Sequence, residues 1–427
     1  MTDPTTDSGL LHLPTVRWFL SSSALATTGI SLMLAVLFKQ AFDITDDPLT
    51  IGILGLLQFV PAVVLVMVSG YVADRFDRRH VTAWMTMGRV ACAVGFFAYS
   101  RHVGDVSDGS DAAVWPIYLI TLAFGTFDAI AIPARHALAP LVVSRTLLPK
   151  LAAAGAVTMV LATIVGPVGA GYLYSMGADV AYLVAAALFA VSVVPLLRVT
   201  YAVEPSRLTD RPSLKLALDG LRFIRRSPIV LSAISLDMIA VLFGGAVALI
   251  PVIAEERLGV GDVAYGWLRA APGIGAGVTG LYLARRPVVR RVGPTLLGVV
   301  AVFGAFHVVL GVTTSYGVAF VAVLVAAGAD MVSMTIRSTL VPLATPGQPA
   351  RAGDGRRERS SSAPRTSSAR SRGGGRPLPR ASVGHRRGVV TVLIAGGFAA
   401  LVPSLRSIDT YADVEVAVDP AASAVQS

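Results

Sequence analysis

Three carboxylates, Asp128, Asp237 and Asp330, stand in the middle of long apolar runs, and Arg89 and Arg269 stand inside two others. An acid kept from water is costly, so it is read either as a proton or substrate contact or as one half of an interhelical ion pair. Both readings stay open, with the two arginines as the obvious counter-charges. Two of the acids belong to a duplicated pattern. Asp128, Arg135, Leu138, Pro140 and Leu141 read D-x6-R-x2-L-x-P-L, and so do Asp330, Arg337, Leu340, Pro342 and Leu343, at a constant offset of 202 residues. A repeated acid and arginine can serve a pathway or a shared scaffold. Other chemistries lack their residues. Gly275-x-Gly277-x-x-Gly280 fits a dinucleotide fingerprint only nominally, because it sits in an apolar run with no preceding strand and no acid placed for a ribose. No phosphate-binding loop, zinc spacing or nucleophile elbow occurs, so we expect no cofactor, no metal and no enzymatic activity. The lone cysteine, Cys92, excludes an intramolecular disulfide.

The elements that must position these groups are membrane spans. The chain is 54% apolar and 15% charged, against about a quarter charged in soluble domains. Runs of the length a helix needs to cross a bilayer lie near 16–38, 49–72, 81–100, 114–136, 151–175, 178–198, 229–253, 263–284, 293–313 and 316–337, with a shorter one at 388–403. Lys and Arg concentrate in alternate loops. Arg75, Arg78 and Arg79 follow span 2, Arg145 and Lys150 follow span 4, and Arg285, Arg286, Arg290 and Arg291 follow span 8. The other loops are poor in them. This sorting predicts a multi-pass protein of the cell inner (plasma) membrane with a cytoplasmic N-terminus. Between spans 6 and 7, Leu214, Leu218, Leu221 and Ile224 recur at helical spacing among Lys215, Arg222, Arg225 and Arg226, which predicts an amphipathic helix on the anionic leaflet.

The expected organisation is therefore 1–198 as six spans, 199–228 as a cytoplasmic linker, 229–346 as spans 7 to 10, 347–387 as a distinct segment, 388–404 as a last span and 405–427 as a tail. The D-x6-R repeat lies on spans 4 and 10, which run the same way, so the duplication is parallel, as in many two-bundle transporters.

Two further motifs lie at functional positions. Gly70-Tyr71-Val72-Ala73-Asp74-Arg75-Phe76-Asp77-Arg78-Arg79 closes span 2. It resembles the loop 2–3 signature of the major facilitator superfamily, G-x-x-x-D-R-x-G-R-R, with Asp77 at the second glycine. Gly166-Pro167-Val168-Gly169-Ala170-Gly171 in span 5 resembles the G-P-x-x-G-G motif of exporters in that superfamily, with Ala170 at one glycine. Pro133-Ala134-Arg135-His136-Ala137-Leu138 and its span-10 copy resemble the branch that holds the enterobactin (siderophore) exporter and bacterial drug efflux proteins.

The resemblance implies an all-α integral membrane fold of two six-helix bundles around a cavity, working by alternating access. It implies that Gly70, Asp74, Arg75, Arg78 and Arg79 form a cytoplasmic gate latch, and that Gly166, Pro167 and Gly171 pack the bundle interface. Asp128, Asp237 and Asp330 are then candidate proton or substrate contacts, and Arg135 and Arg337 part of the repeat's structure. The expected activity is export of a small amphipathic molecule coupled to proton entry, by a chain that works as a monomer. A non-transporting membrane scaffold or sensor is the alternative.

Residues 347–387 break every pattern. They hold eleven arginines with Asp354 and Glu358 as the only acids, and so account for +9 of the formal charge of +10. An eleventh span belongs here, and nothing in the stretch could cross a bilayer. We read it as the product of a shifted reading frame, with a basic loop binding nucleic acid or lipid headgroups as the alternative; no nucleic-acid partner is expected. In the resembling family the acid of the loop 2–3 motif, here Asp74, meets the start of span 11, so the chain as written is expected to transport poorly or not at all.

Overall fold

The computed structural model describes residues 10–105, 114–202 and 248–343. Among these residues every regular element is a helix. The expected amphipathic helix at 214–226, Asp237, the segment 347–387 and the last span at 388–403 lie outside the described residues.

After a turn of 3-10 helix at Leu10–His12, α1 runs Pro14–Thr45. Proline at its first turn lacks only an N–H that would be unpaired there anyway. Asp46 in the left-handed region ends it, returning its N–H to the Phe42 carbonyl. Asp47 then starts the next helix, its carboxylate accepting from the Leu49 N–H at 3.0 Å, with Pro48 in the first turn. Span 2 is two helices rather than one. It comprises α2, Pro48–Val64, and α3, Val66–Arg75, broken at Leu65 one turn after Pro61. The later spans follow expectation more closely. They are α4 at Arg78–Asp105, α5 at Trp115–Val142, α6 at Leu148–Tyr174, α7 at Ala178–Leu197, α8 at Asp262–Arg285, α9 at Val292–Val312 and α10 at Tyr316–Leu343. Of span 7 only its end is described, one helical turn at Ile250–Val252 that widens into a π-turn at Ile253–Arg257.

Seven described helices, α1, α4, α5, α6, α7, α9 and α10, are long and apolar enough to cross a membrane. They carry exposed apolar side chains such as Met159, Leu161 and Val165. Lipid solvates such side chains, and the helices satisfy their own backbone groups.

Contacts divide the chain into two compact units. The first holds the described residues through 202 together with 248–273; the second holds those from 274 on. In the first unit α1 packs along α6 and α7, α4 along α5 and α7, and α2 along α5. Its core gathers Met33, Leu37, Phe42, Phe96, Phe124, Tyr182 and Phe189. Two buried polar side chains tie three of its helices together. Tyr182 Oη donates to Gln40 Oε1 at 2.8 Å, and Gln40 Nε2 donates to Ser100 Oγ at 3.1 Å. In the second unit α9 packs along α10.

Candidate functional site

The loop 2–3 motif splits at the end of α3. Gly70, Asp74 and Arg75 ride on α3, where the Arg75 guanidinium lies 5.9 Å from the centre of the Tyr71 ring. Arg78 and Arg79 open α4. Arg79 reaches the end of α7, donating from Nη1 to the Val199 carbonyl at 2.9 Å and to the Leu197 carbonyl at 3.4 Å. These carbonyls lie at a helix C-terminus, where the backbone dipole favours a cation. Asp77, at the position where the family pattern has glycine, accepts from the Arg79 N–H at 2.9 Å and from the Tyr201 hydroxyl. Burial works against its ionised form, but the Tyr201 and Arg79 hydrogen bonds and the Arg79 charge outweigh it and hold the carboxyl below its usual range. Tyr201 responds in the opposite sense, pushed up to about 12 by burial and by donating to that carboxylate. The same stretch is held twice more. Ala202 N–H donates to the Leu141 carbonyl at 2.8 Å, and the Thr15 and Thr200 hydroxyls lie 2.7 Å apart. Loop 2–3 is thus bound to the start of the segment that leaves the first six spans.

The duplicated acids differ in their ion pairs. Asp128 on α5 meets Arg89 of α4 at 2.5 Å, and that arginine is 1% exposed. Asp330 on α10 meets Arg337 two turns further along its own helix, at 3.6 Å, and its side chain remains 49% exposed. Arg89 is therefore the counter-charge expected for Asp128. Its Nε and Nη1 remain buried without a hydrogen-bond partner.

The span 5 motif sits at close helix crossings. A Cβ on Gly166 would lie 2.6 Å from Ser31 Cβ and 2.9 Å from the Leu32 nitrogen of α1. One on Gly171 would lie 2.9 Å from the Gly266 Cα and 2.6 Å from the Asp262 carbonyl oxygen of α8. Gly266, which the sequence reading did not single out, is the reciprocal half of that contact. Pro167 has no N–H to give the carbonyl one turn earlier, at Thr163. A Cβ on Gly273 would lie 3.2 Å from that Thr163 oxygen. The motif therefore seats α6 against both α1 and α8.

A further cluster, equally unanticipated, lies where the C-terminal ends of α1 and α6 meet the π-turn and the start of α8. Lys39 Nζ is 2.5 Å from Asp43 Oδ1, 3.0 Å from Glu255 Oε2 and 3.7 Å from Asp262 Oδ1. Tyr174 Oη donates to the other Asp43 oxygen at 2.6 Å. Below it Tyr265 Oη donates to the Ala35 carbonyl at 2.7 Å, and Arg269 lies 5.7 Å from the centre of the Phe38 ring. The visible signal was a lysine four residues before an aspartate at the end of an apolar run. Only the fold brings Glu255 and Asp262 to them.

Helices long and apolar enough to cross a membrane, a pattern repeated within the sequence and charged turns at helix ends point to the class of polytopic membrane transporters. The chain belongs to the Major Facilitator Superfamily, whose family model matches residues 18–353. The enterobactin exporter EntS of Escherichia coli O1:K1 is 29% identical over 246 residues, 56% of this chain and 55% of that protein. EntS of Shigella boydii serotype 4 matches over the same length at 29% identity. The chain thus matches about half the length of these curated relatives. Among solved structures, the POT family transporter PepTSo aligns with a TM-score of 0.59 at 11% identity, covering 92% of this chain and 98% of that one. The nucleoside transporter NupG aligns with a TM-score of 0.56 at 13% identity, covering 92% and 89%. These two likenesses are of fold.

Proposed function

We propose that this chain is a secondary active transporter that exports a small amphipathic molecule, siderophore- or drug-like, across the cytoplasmic membrane in exchange for protons. The observation that carries the reading is the crossing of α6 with α1 and α8. There the exporter-type Gly166-Pro167 and Gly171 make backbone approaches that any side chain would block. Partial similarity to enterobactin exporters favours a siderophore-like cargo. Neither a catalytic step nor a cofactor enters this mechanism: substrate, protons and the bilayer are the partners, and the monomer is the working unit. The N-terminus and the arginine-rich loops face the cytoplasm.

Within this reading the three acids take different roles. Asp128, ion-paired at 2.5 Å with a fully buried arginine, neutralises Arg89 and holds α5 against α4. Proton exchange falls to Asp330, whose carboxylate is half-exposed and further from its arginine, and to Asp237. Loop 2–3 acts as the cytoplasmic latch, with Asp74 and Arg75 on its α3 side and Arg78 and Arg79 on its α4 side.

The test is efflux from proteoliposomes loaded with a catecholate siderophore or a cationic dye, under an imposed proton gradient. Gradient-driven efflux that Asp330→Asn uncouples, while the protein stays folded, supports the exporter. Efflux indifferent to the gradient removes the proton coupling. No flux of either cargo, from a folded chain carrying an uncharged apolar span in place of 347–387, favours the scaffold.

A further inference from the structure

The Lys39 cluster takes no part in the roles assigned so far. One ammonium, on a residue 7% exposed, has three carboxylates within 3.7 Å. They come from three places in the chain: Asp43 on α1 itself, Glu255 on the π-turn that ends span 7, and Asp262 at the first turn of α8. A single positive charge so surrounded is a tethered counter-ion. Without it, two acids of the 253–262 stretch would face Asp43 across a gap of a few ångströms, and like charges at that range repel. With it, a stretch that follows span 7 in the sequence is bound to the ends of α1 and α6. Tyr174 holds Asp43 from the far side, and the backbone approach of Gly171 to Gly266 lies one to two turns below. By the loop charges this end of α1 faces away from the cytoplasm.

We propose that Lys39 is the bolt of an outer latch: a cation carried on α1 that keeps the span 7–8 turn closed on spans 1 and 5 by screening Asp43, Glu255 and Asp262 from one another. The outer placement rests on the export reading and its orientation; the latch itself does not. The ammonium fills a place that oxygen-ligand chemistry would also give to a free divalent cation. Deleting the lysine charge should therefore open the turn and create a calcium-sensitive site where the bolt was.

The experiment uses the full chain with the buried Cys92 replaced by alanine and spin labels at Leu49→Cys and Glu256→Cys, both at exposed positions. Pulsed electron-spin distances are measured in nanodiscs. The parent should give one short distance, and Lys39→Arg should retain it. Lys39→Gln should shift the distribution to longer distances, and calcium at about 10 mM, above the range of weak oxygen-ligand sites, should return it. Glu255→Gln, altering a half-exposed side chain, should lengthen the distance without a calcium response, and it decides between the outcomes if Lys39→Gln does not fold. Parent-like distances in both variants overturn the latch, as does a lengthening in Lys39→Gln that calcium leaves unchanged. Transport is not read out. A latch that behaves as expected in a protein that moves no cargo would remove the export reading and leave the latch standing.

Discussion

Arg89 of α4 and Asp128 of α5 stand 2.5 Å apart in the middle of two membrane helices, whereas the duplicated Asp330 pairs at 3.6 Å with Arg337 on its own helix. Both copies keep the acid ion-paired to an arginine. One copy joins two helices, and the other makes its ion pair along one.

That difference sets the cost of removing each acid. Asp128→Asn leaves the Arg89 guanidinium buried without its counter-charge and should cost about 3–5 kcal/mol. Replacing both partners, Arg89→Met with Asp128→Leu, should recover most of the loss. Asp330→Asn breaks a longer pair, at 3.6 Å, from a half-exposed carboxylate, and should cost less than Asp128→Asn although Arg337 is itself buried. Thermal unfolding of the purified variants in detergent checks the order; equal losses at Asp128 and Asp330 would contradict it.

The crossing of α6 and α8 gives a paired comparison within one motif. Gly171→Ala puts a methyl 2.6 Å from the Asp262 carbonyl oxygen and 2.9 Å from the Gly266 Cα, so the helices must separate. Overpacking of this kind costs about 1–3 kcal/mol. Gly169→Ala meets only Leu32 Cδ1, at 3.8 Å, and should be nearly silent. Melting temperatures and efflux of the two variants, measured side by side, show whether the glycine is needed at one position and not the other.

Loop 2–3 carries a pH dependence whose sign can be worked out. The Asp77 carboxyl titrates below its usual range, so its contribution is present above the ordinary carboxylate value and is lost as pH falls through the lowered one. Tyr201 titrates at about 12, so its contribution is present below the ordinary phenol value and is lost as pH rises through that higher one. The clamp should therefore hold across the whole neutral range. Tyr201→Phe should let the Asp77 carboxyl rise toward its ordinary value, at a cost of no more than about 1 kcal/mol because the pair is partly exposed. Carboxyl carbon shifts of Asp77 across an acid titration follow it, and an unmoved midpoint in Tyr201→Phe would exclude the hydrogen bond as the cause.

Residues 347–387 lead to a nucleotide-level prediction. Reads covering codons 345–390 should reveal a frame that encodes an uncharged span, and a chain rebuilt in that frame should export where the chain as written does not. An intact frame together with an active protein would refute the shift.

Spans were legible because a helix in lipid must be apolar for about 20 residues, a signal that needs no tertiary knowledge. Eight of the first ten appear as continuous helices of about the expected extent, and the family followed from Asp74-Arg75 and Gly166-Pro167 with their spacing. The break at Leu65 was not read: Pro61 frees a carbonyl one turn before it, at Leu57, while the Leu65 N–H still donates to Pro61, and proline is common in membrane helices that stay continuous. Here α5, with Pro133 and Pro140, does so. Lys39, Glu255 and Asp262 were invisible as a group for a different reason. Lys39 lies 216 residues from Glu255, and each charge taken alone looks like an ordinary one at a helix end. The Arg79 contacts with Leu197 and Val199 were illegible too, since a backbone carbonyl has no letter in the sequence.

The break in span 2 has a mechanical consequence. Beyond Leu65, α3 is a rod of ten residues, about 15 Å long at ~1.5 Å per residue, with the Gly70–Arg75 half of the loop 2–3 motif on it. Bending concentrated at one joint turns a few degrees of tilt there into about an ångström of travel at the tip, enough to make or break a hydrogen bond. Arg79 lies beyond that rod, on α4, and is fastened to the end of α7. A short lever on one side of the loop and a fixed post on the other would let the two halves of a single ten-residue signature move independently.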